Sequence, residues 1–225
     1  TAMMDWYSAQ IAQMKEDKTN RSTPGMFTEY ADVPAATRIA EVSADAVASS
    51  GVNLDGYKDA AIVVIGRSGG EGADLYTGEF TDGTSYFELQ DSERELLKYV
   101  ASQGFSKTIV LINSSNILQI PELAEPKATS EYGVDAIFWV GNTGNNAIEA
   151  IGKLISGEVN PSGHTVEVWE RDFTKGPSFT NFGNQTQNVD ENGDTMDAFF
   201  YHNGEATKYA TIEYREGIYV GYKYY

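Results

Sequence analysis

Residues 60–66 read AAIVVIG, and the same grammar returns at 108–113 (TIVLIN) and 135–141 (DAIFWVG). Each run is short, rich in β-branched residues and continuously apolar, the pattern of parallel strands covered on both faces. A fourth run, 165–169 (TVEVW), reads as a further strand. Helical periodicity fills the intervals. Residues 34–50 place Ile39, Val42, Ala46 and Val47 near one face. Residues 91–102 (DSERELLKYVAS) open on Asp91 as N-cap candidate and a Glu-rich first turn, then bring Leu96, Leu97 and Val100 inward. Residues 145–156 do the same with Ile148, Ile151, Leu154 and Ile155. Strand and helix alternating at this spacing predict βαβ units. The expected fold class is α/β, a three-layer α/β/α sandwich with a mostly parallel sheet. Residues 1–225 read as a single such domain with a loop-rich C-terminal part at 171–225. Within that part, 171–209 are rich in Gly, Asn, Asp and Thr, and 210–225 (ATIEYREGIYVGYKYY) return to aromatic strand or turn chemistry.

Charge narrows the partners. Thirty-three acidic residues against 16 basic ones give −17, a field that repels phosphate backbones and anionic lipid, so neither nucleic acid nor membrane is expected. No apolar run approaches the roughly 20 residues of a membrane span. With no cysteine, disulfides, thiolate nucleophiles and sulfur-ligated metals are excluded, while the compartment, cytoplasmic or exterior, stays open. Residues 1–6 carry neither a basic n-region nor an apolar h-region. The missing initiator Met and the abrupt aromatic end read as a piece of a longer chain.

In open α/β sheets, ligands bind outside the carboxyl ends of the strands. Those ends carry Gly66-Arg67-Ser68-Gly69-Gly70-Glu71-Gly72, Asn113-Ser114-Ser115 and Gly141-Asn142-Thr143-Gly144, small and polar as a crevice rim requires. Gly66-Arg67-Ser68-Gly69-Gly70 formally matches the G-x-S-x-G nucleophile elbow, but the elbow turns directly into a helix, and residues 71–83 show no helical period. No phosphate-cradling glycine motif occurs, and no cofactor is expected. The carboxylates at 190–197 (DENGDTMD) miss EF-hand spacing and read as a solvated turn. Two histidines, His164 and His202, without cysteine make a zinc site improbable, so no metal site is assigned. Glu71 stands apart. A carboxylate between two glycines, in a loop at a strand's carboxyl end, suits a general acid that reaches into a neighbouring site, because glycine permits close approach; a surface Glu is the plainer alternative.

Beyond this point the residues support a resemblance. Residues 59–75 (DAAIVVIGRSGGEGADL) resemble the signature of the second domain of glycoside hydrolase family 3, the β-glucosidase family. Residues 157–163 (GEVNPSG) resemble its G-x-x-N-P-S-G turn. In order between and after them, 89–100, 108–113, the loop residues Gly141, Gly144 and Ala147, 171–183 and 214–225 resemble further segments of that domain. The resemblance implies a six-stranded α/β sandwich and a retaining glycosidase with a glycoside substrate, using two carboxylates about 5.5 Å apart, a nucleophile and an acid/base. In the family the nucleophile is an Asp on a separate (β/α)8 barrel. The acid/base of many members is the Glu of an S-G-E-G-x-D segment. Gly70-Glu71-Gly72-Ala73-Asp74 matches that segment from its first Gly, which makes Glu71 the carried-over acid/base. Asp74 falls on its acidic position, structural or at the subsite rim. Arg67 falls on the motif's basic position, where it orients the loop or a sugar hydroxyl.

Departures define the rest. Gly69 stands where the motif opens with Ser, and Leu75 where it closes with Arg. The chain has neither the length nor the eight βα units of a barrel, so it is expected to hydrolyse no glycoside alone. The family's opening V-L-L-K-N strand and closing F-x-F-G-x-G-L-S segment are missing. Loss of the first strand is expected to leave a sheet edge bare and favour association with a second copy. The alternative expectation is a non-catalytic carbohydrate-binding or interaction module of the same fold.

Overall fold

The computed structural model describes residues 2–17, 41–67, 79–80, 82–144, 146, 148–179, 198–202, 205–209 and 214–225. The chain divides into two compact units, Thr1–Gly163 and His164–Tyr225. In the first, the continuous apolar runs become the parallel strands β1 (Ala60–Gly66), β2 (Lys107–Asn113) and β3 (Ala136–Trp139), in the order β1-β2-β3. The register pairs Val63 with Val110 and Ile65 with Ile112 across β1 and β2, and Ile112 with Trp139 across β2 and β3. The class is α/β. Among the described residues the sheet has three strands, where the resemblance implies six.

The crossover from β1 to β2 runs through helix α3 (Asp91–Ser102). Leu96, Leu97 and Val100 are buried, as the period predicts. The cap differs by one position. Gln90 is the N-cap residue and Asp91 the first helical one. Glu93, in the first turn, accepts the Gln90 N–H at 2.9 Å, so a donor otherwise orphaned at the helix start is met. Helix α3 packs on β1, and a short helix α2 (Ala44–Ser49) packs beside α3. Ser43 caps α2 by accepting the Ala46 N–H at 3.2 Å. Val42 and Val47 are buried there, whereas Ile39 lies outside the described residues.

Coverage of the sheet is uneven. Val63, Ile65, Val110 and Ile112 are buried, but Ile62 and Val64, which point to the opposite face of β1, are 49% and 37% exposed. The continuous apolar run in β1 therefore does not mean equal cover on both sides among the described residues. Helix α4 (Ile148–Ile155) has the expected amphipathic period, yet none of its described residues is buried.

A helix the sequence did not announce, α1 (Ala2–Asp17), is tied to the sheet edge. The Tyr7 hydroxyl donates to Glu41 Oε1 at 2.8 Å, and the Val42 N–H donates to the same oxygen. Burial raises the Glu41 carboxyl above its usual value. The Val42 and Val64 N–H groups and the Tyr7 hydroxyl pull the other way. Burial and the adjacent carboxylate push the Tyr7 hydroxyl up. Among the described residues β1 is an edge strand, and Glu41 beside the Val64 N–H occupies part of that edge.

The second unit departs more from expectation. Residues 165–169 do not form a strand. Val166 is 94% exposed, and the Thr165 hydroxyl donates to the Glu167 carbonyl at 3.2 Å, a local bond that competes with ladder pairing. Within the stretch read as loop-rich, β4 (Ala198–His202) and β5 (Glu205–Tyr209) form an antiparallel pair. A short 3₁₀ turn at Phe173–Lys175 is capped by Asp172, which accepts the Thr174 N–H at 2.9 Å. The last residues take the turn option of the sequence reading, with Gly217 and Gly221 at positive φ and a 3₁₀ turn at Gly221–Lys223.

Candidate active-site rim

Strand β1 ends at Gly66, and the next residue carries a heavily bonded side chain at the sheet's carboxyl edge. The Arg67 N–H extends the ladder to the Asn113 carbonyl at 3.0 Å. Its guanidinium turns into the protein. Nε donates to the Tyr86 carbonyl at 2.7 Å. Nη1 donates to the Gly66 carbonyl at 2.8 Å and to Glu93 Oε1 at 2.7 Å. Nη2 donates to the Glu88 carbonyl at 2.7 Å and to Glu93 Oε2 at 2.8 Å. A guanidinium has five N–H donors in a fixed fork, and these five bonds use them all. The side chain is 0% exposed and that of Glu93 1%. The Tyr86 ring lies 5.3 Å from the guanidinium carbon, a cation–π contact added to the charge pair.

The acceptors are themselves fixed. Phe80 donates its N–H to the Thr84 carbonyl at 2.9 Å, and Gly83, at φ +80°, closes the turn with a bond to the Phe80 carbonyl. That turn brings the Phe80 and Tyr86 rings edge to face at 6.1 Å, both buried. The Gln90 amide donates to the Ser85 carbonyl at 2.7 Å. From the far side, Gln119 donates its N–H to the Phe87 carbonyl and its amide to Glu88 Oε1, both at 2.8 Å. The carbonyls that receive Arg67 are thus held from two directions.

The other two strand ends complete the rim. Ser114 is fully buried, and its carbonyl accepts Trp139 Nε1 at 2.8 Å. Asn142 donates its amide to Ser115 Oγ at 2.8 Å. Gly141 sits at φ +55°, a left-handed conformation that favours glycine. The rim segments read from the sequence at 113–115 and 141–144 therefore lie together at the carboxyl edge with Arg67. Glu71, Asp74 and Ser68 lie outside the described residues, as do the carboxylates at 190–197. The partner that sequence reasoning missed is Glu93. Its signal was present as the carboxylate third after Gln90, but it was read as a helix-start feature only. Among the described residues, no group of three or more His, Asp or Glu side chains is placed to hold a metal ion. No described helix is long and apolar enough to cross a membrane.

A model of the glycosyl hydrolase family 3 C-terminal domain matches residues 1–222. The chain belongs to that family. Two curated relatives carry β-glucosidase names. Thermostable beta-glucosidase B of Acetivibrio thermocellus is 26% identical over 168 residues, 74% of this chain and 17% of that protein. Beta-glucosidase 2 of Saccharomycopsis fibuligera is 31% identical over 104 residues, 46% of this chain and 11% of that protein. The family 3 C-terminal domain described here thus spans less than a fifth of these relatives. No solved structure matches it significantly. The family is one of glycoside hydrolases, and the fold and the order of the rim segments agree with membership.

Proposed function

We propose that this domain supplies Glu71 as general acid/base to a retaining β-glucosidase-type active site, completed by a (β/α)8 barrel elsewhere in a longer parent chain. The observation that carries the reading is the Gly70-Glu71-Gly72-Ala73-Asp74 segment, whose Glu71 follows the buried Arg67 at the end of β1 by four residues. A general acid must be delivered to a fixed place. The fixed, buried Arg67 just before that segment supports the assignment over an ordinary surface Glu.

The chemistry follows the two-carboxylate scheme. Protonated Glu71 donates to the glycosidic oxygen while a barrel carboxylate attacks the anomeric carbon, and the aglycone leaves as the alcohol. As carboxylate, Glu71 then takes a proton from the water that releases the sugar. The first step needs a raised pKa, which burial and a second carboxylate in the assembled site would supply. Asp74 takes the rim of the subsite. The isolated domain, without the nucleophile, should turn over no glycoside.

The test is Glu71→Ala in the full-length parent. Turnover of an alkyl β-glucoside, whose leaving group needs protonation, should fall by about 100-fold or more, the usual contribution of a general acid. A dinitrophenyl β-glucoside, which leaves unassisted, should keep most of its kcat/KM. Equal retention on both substrates would leave this domain a non-catalytic module.

A further inference from the structure

We propose that Arg67 is a positioning residue for the acid/base. Locked to Glu93 and to the Tyr86 and Glu88 carbonyls, it fixes the point and direction at which the chain leaves β1 toward Glu71. The inference rests on the proposed role of Glu71 and adds the device that places it.

Three observations carry it. First, all five Arg67 N–H groups are used inside the domain and the side chain is 0% exposed. A sugar hydroxyl could be met only by breaking one of these bonds and stranding a buried acceptor. Of the two roles open to Arg67 in the sequence, orienting the loop is the one this geometry favours. Second, the pair is bidentate and joins three pieces of chain: the end of β1, the 85–90 segment and the first turn of α3. A buried ion pair is seldom the most stabilising way to fill a core, and well-packed apolar residues often do as well. Planar fork-on-carboxylate geometry instead restricts orientation, which a Lys cannot reproduce. Third, Glu71 follows Arg67 by four residues. An extended chain advances at most about 3.6 Å per residue, so Glu71 lies within about 14 Å of this anchor whatever the path.

The test uses the full-length parent and three variants, Arg67→Lys, Glu93→Gln and the paired apolar replacement Arg67→Met with Glu93→Leu. For each, kcat/KM is measured on an alkyl and on a dinitrophenyl β-glucoside, with Glu71→Ala as control. A misplaced acid should lower kcat/KM on the alkyl substrate about tenfold or more, since small misplacements of catalytic groups have costs of that order. The dinitrophenyl substrate should change less than about twofold. A purely structural role would lower both together through the folded fraction, and that result overturns the proposal. Should Arg67→Lys fail to fold, the apolar pair decides: a stable variant with undiminished alkyl activity also overturns it. If Glu71→Ala shows the leaving-group dependence and the three variants do not, only Arg67 is reassigned. If Glu71→Ala shows none, both assignments fall.

Discussion

At the amino end of β2, three donors converge on one carboxylate, far in function from the strand ends. Asp135 accepts the Thr108 N–H at 2.8 Å, Lys107 Nζ at 3.3 Å, and a short bond from Lys127 Nζ. The Lys127 bond above all, then the Thr108 N–H, holds its carboxyl down from 3.8 to about 2. A depressed pKa means stability that is present above the unfolded value and lost as pH falls through the folded one. Asp135→Asn should therefore lower Tm at pH 6 and make progressively less difference between pH 4 and pH 2, measured by thermal melts across that range. Glu41 has the opposite sign. Its carboxyl is raised above 4.5, chiefly by burial, so the protonated form favours folding below that value and the advantage is lost as pH rises. Glu41→Gln, which keeps an acceptor for Tyr7, should gain in Tm relative to the wild type as pH goes from 4 to 7. A constant difference between the two proteins would contradict the buried-carboxyl account.

Elements show what a sequence can and cannot announce. Helix α3 was legible because its stripe of Leu96, Leu97 and Val100 answers to one face, and Leu97 ends fully buried. Leu97→Ala should cost about 2–5 kcal/mol in chemical denaturation, the transfer loss plus the cavity left behind; less than 1 kcal/mol would mean that the site collapses freely. The three parallel strands were legible for a related reason, since unbroken apolar runs are the habit of parallel strands covered on both faces, although among the described residues one face of β1 stays half-exposed. Residues 165–169 (TVEVW) are β-branched too but, with Val166 bare to solvent, pair with no strand among the described residues. Strand formation there depended on partners that local composition does not encode. The β4–β5 pair carried its own signal, Asn203-Gly204 between apolar or β-forming runs, the strongest short hairpin cue. The surrounding polar residues hid it. Helix α1 has no apolar stripe to betray it; its polar tie to Glu41 could be seen only once the fold brought residues 7 and 41 together. At the rim, Arg67 was visible by its place after β1, whereas its pairing with Glu93 spans 26 positions and waits on the crossover that folds α3 back.

As a whole, the molecule is an acidic α/β domain of family 3 that accounts for a small part of the curated relatives it matches. A strand end, an 85–90 segment and a helix start are locked together by one buried guanidinium, just ahead of the segment that carries the proposed acid. On this reading the Glu71 carboxylate does chemistry in a site shared with another domain. The most direct measurement is the product formed when the full-length Glu71→Ala protein is given a dinitrophenyl β-glucoside and azide. Without its base, water attacks the glycosyl-enzyme slowly, and azide, a nucleophile that needs no deprotonation, should replace it. With Glu71 as acid/base, azide should speed turnover and give a β-glucosyl azide product. Unchanged turnover with glucose as the sole product, with or without azide, would contradict it.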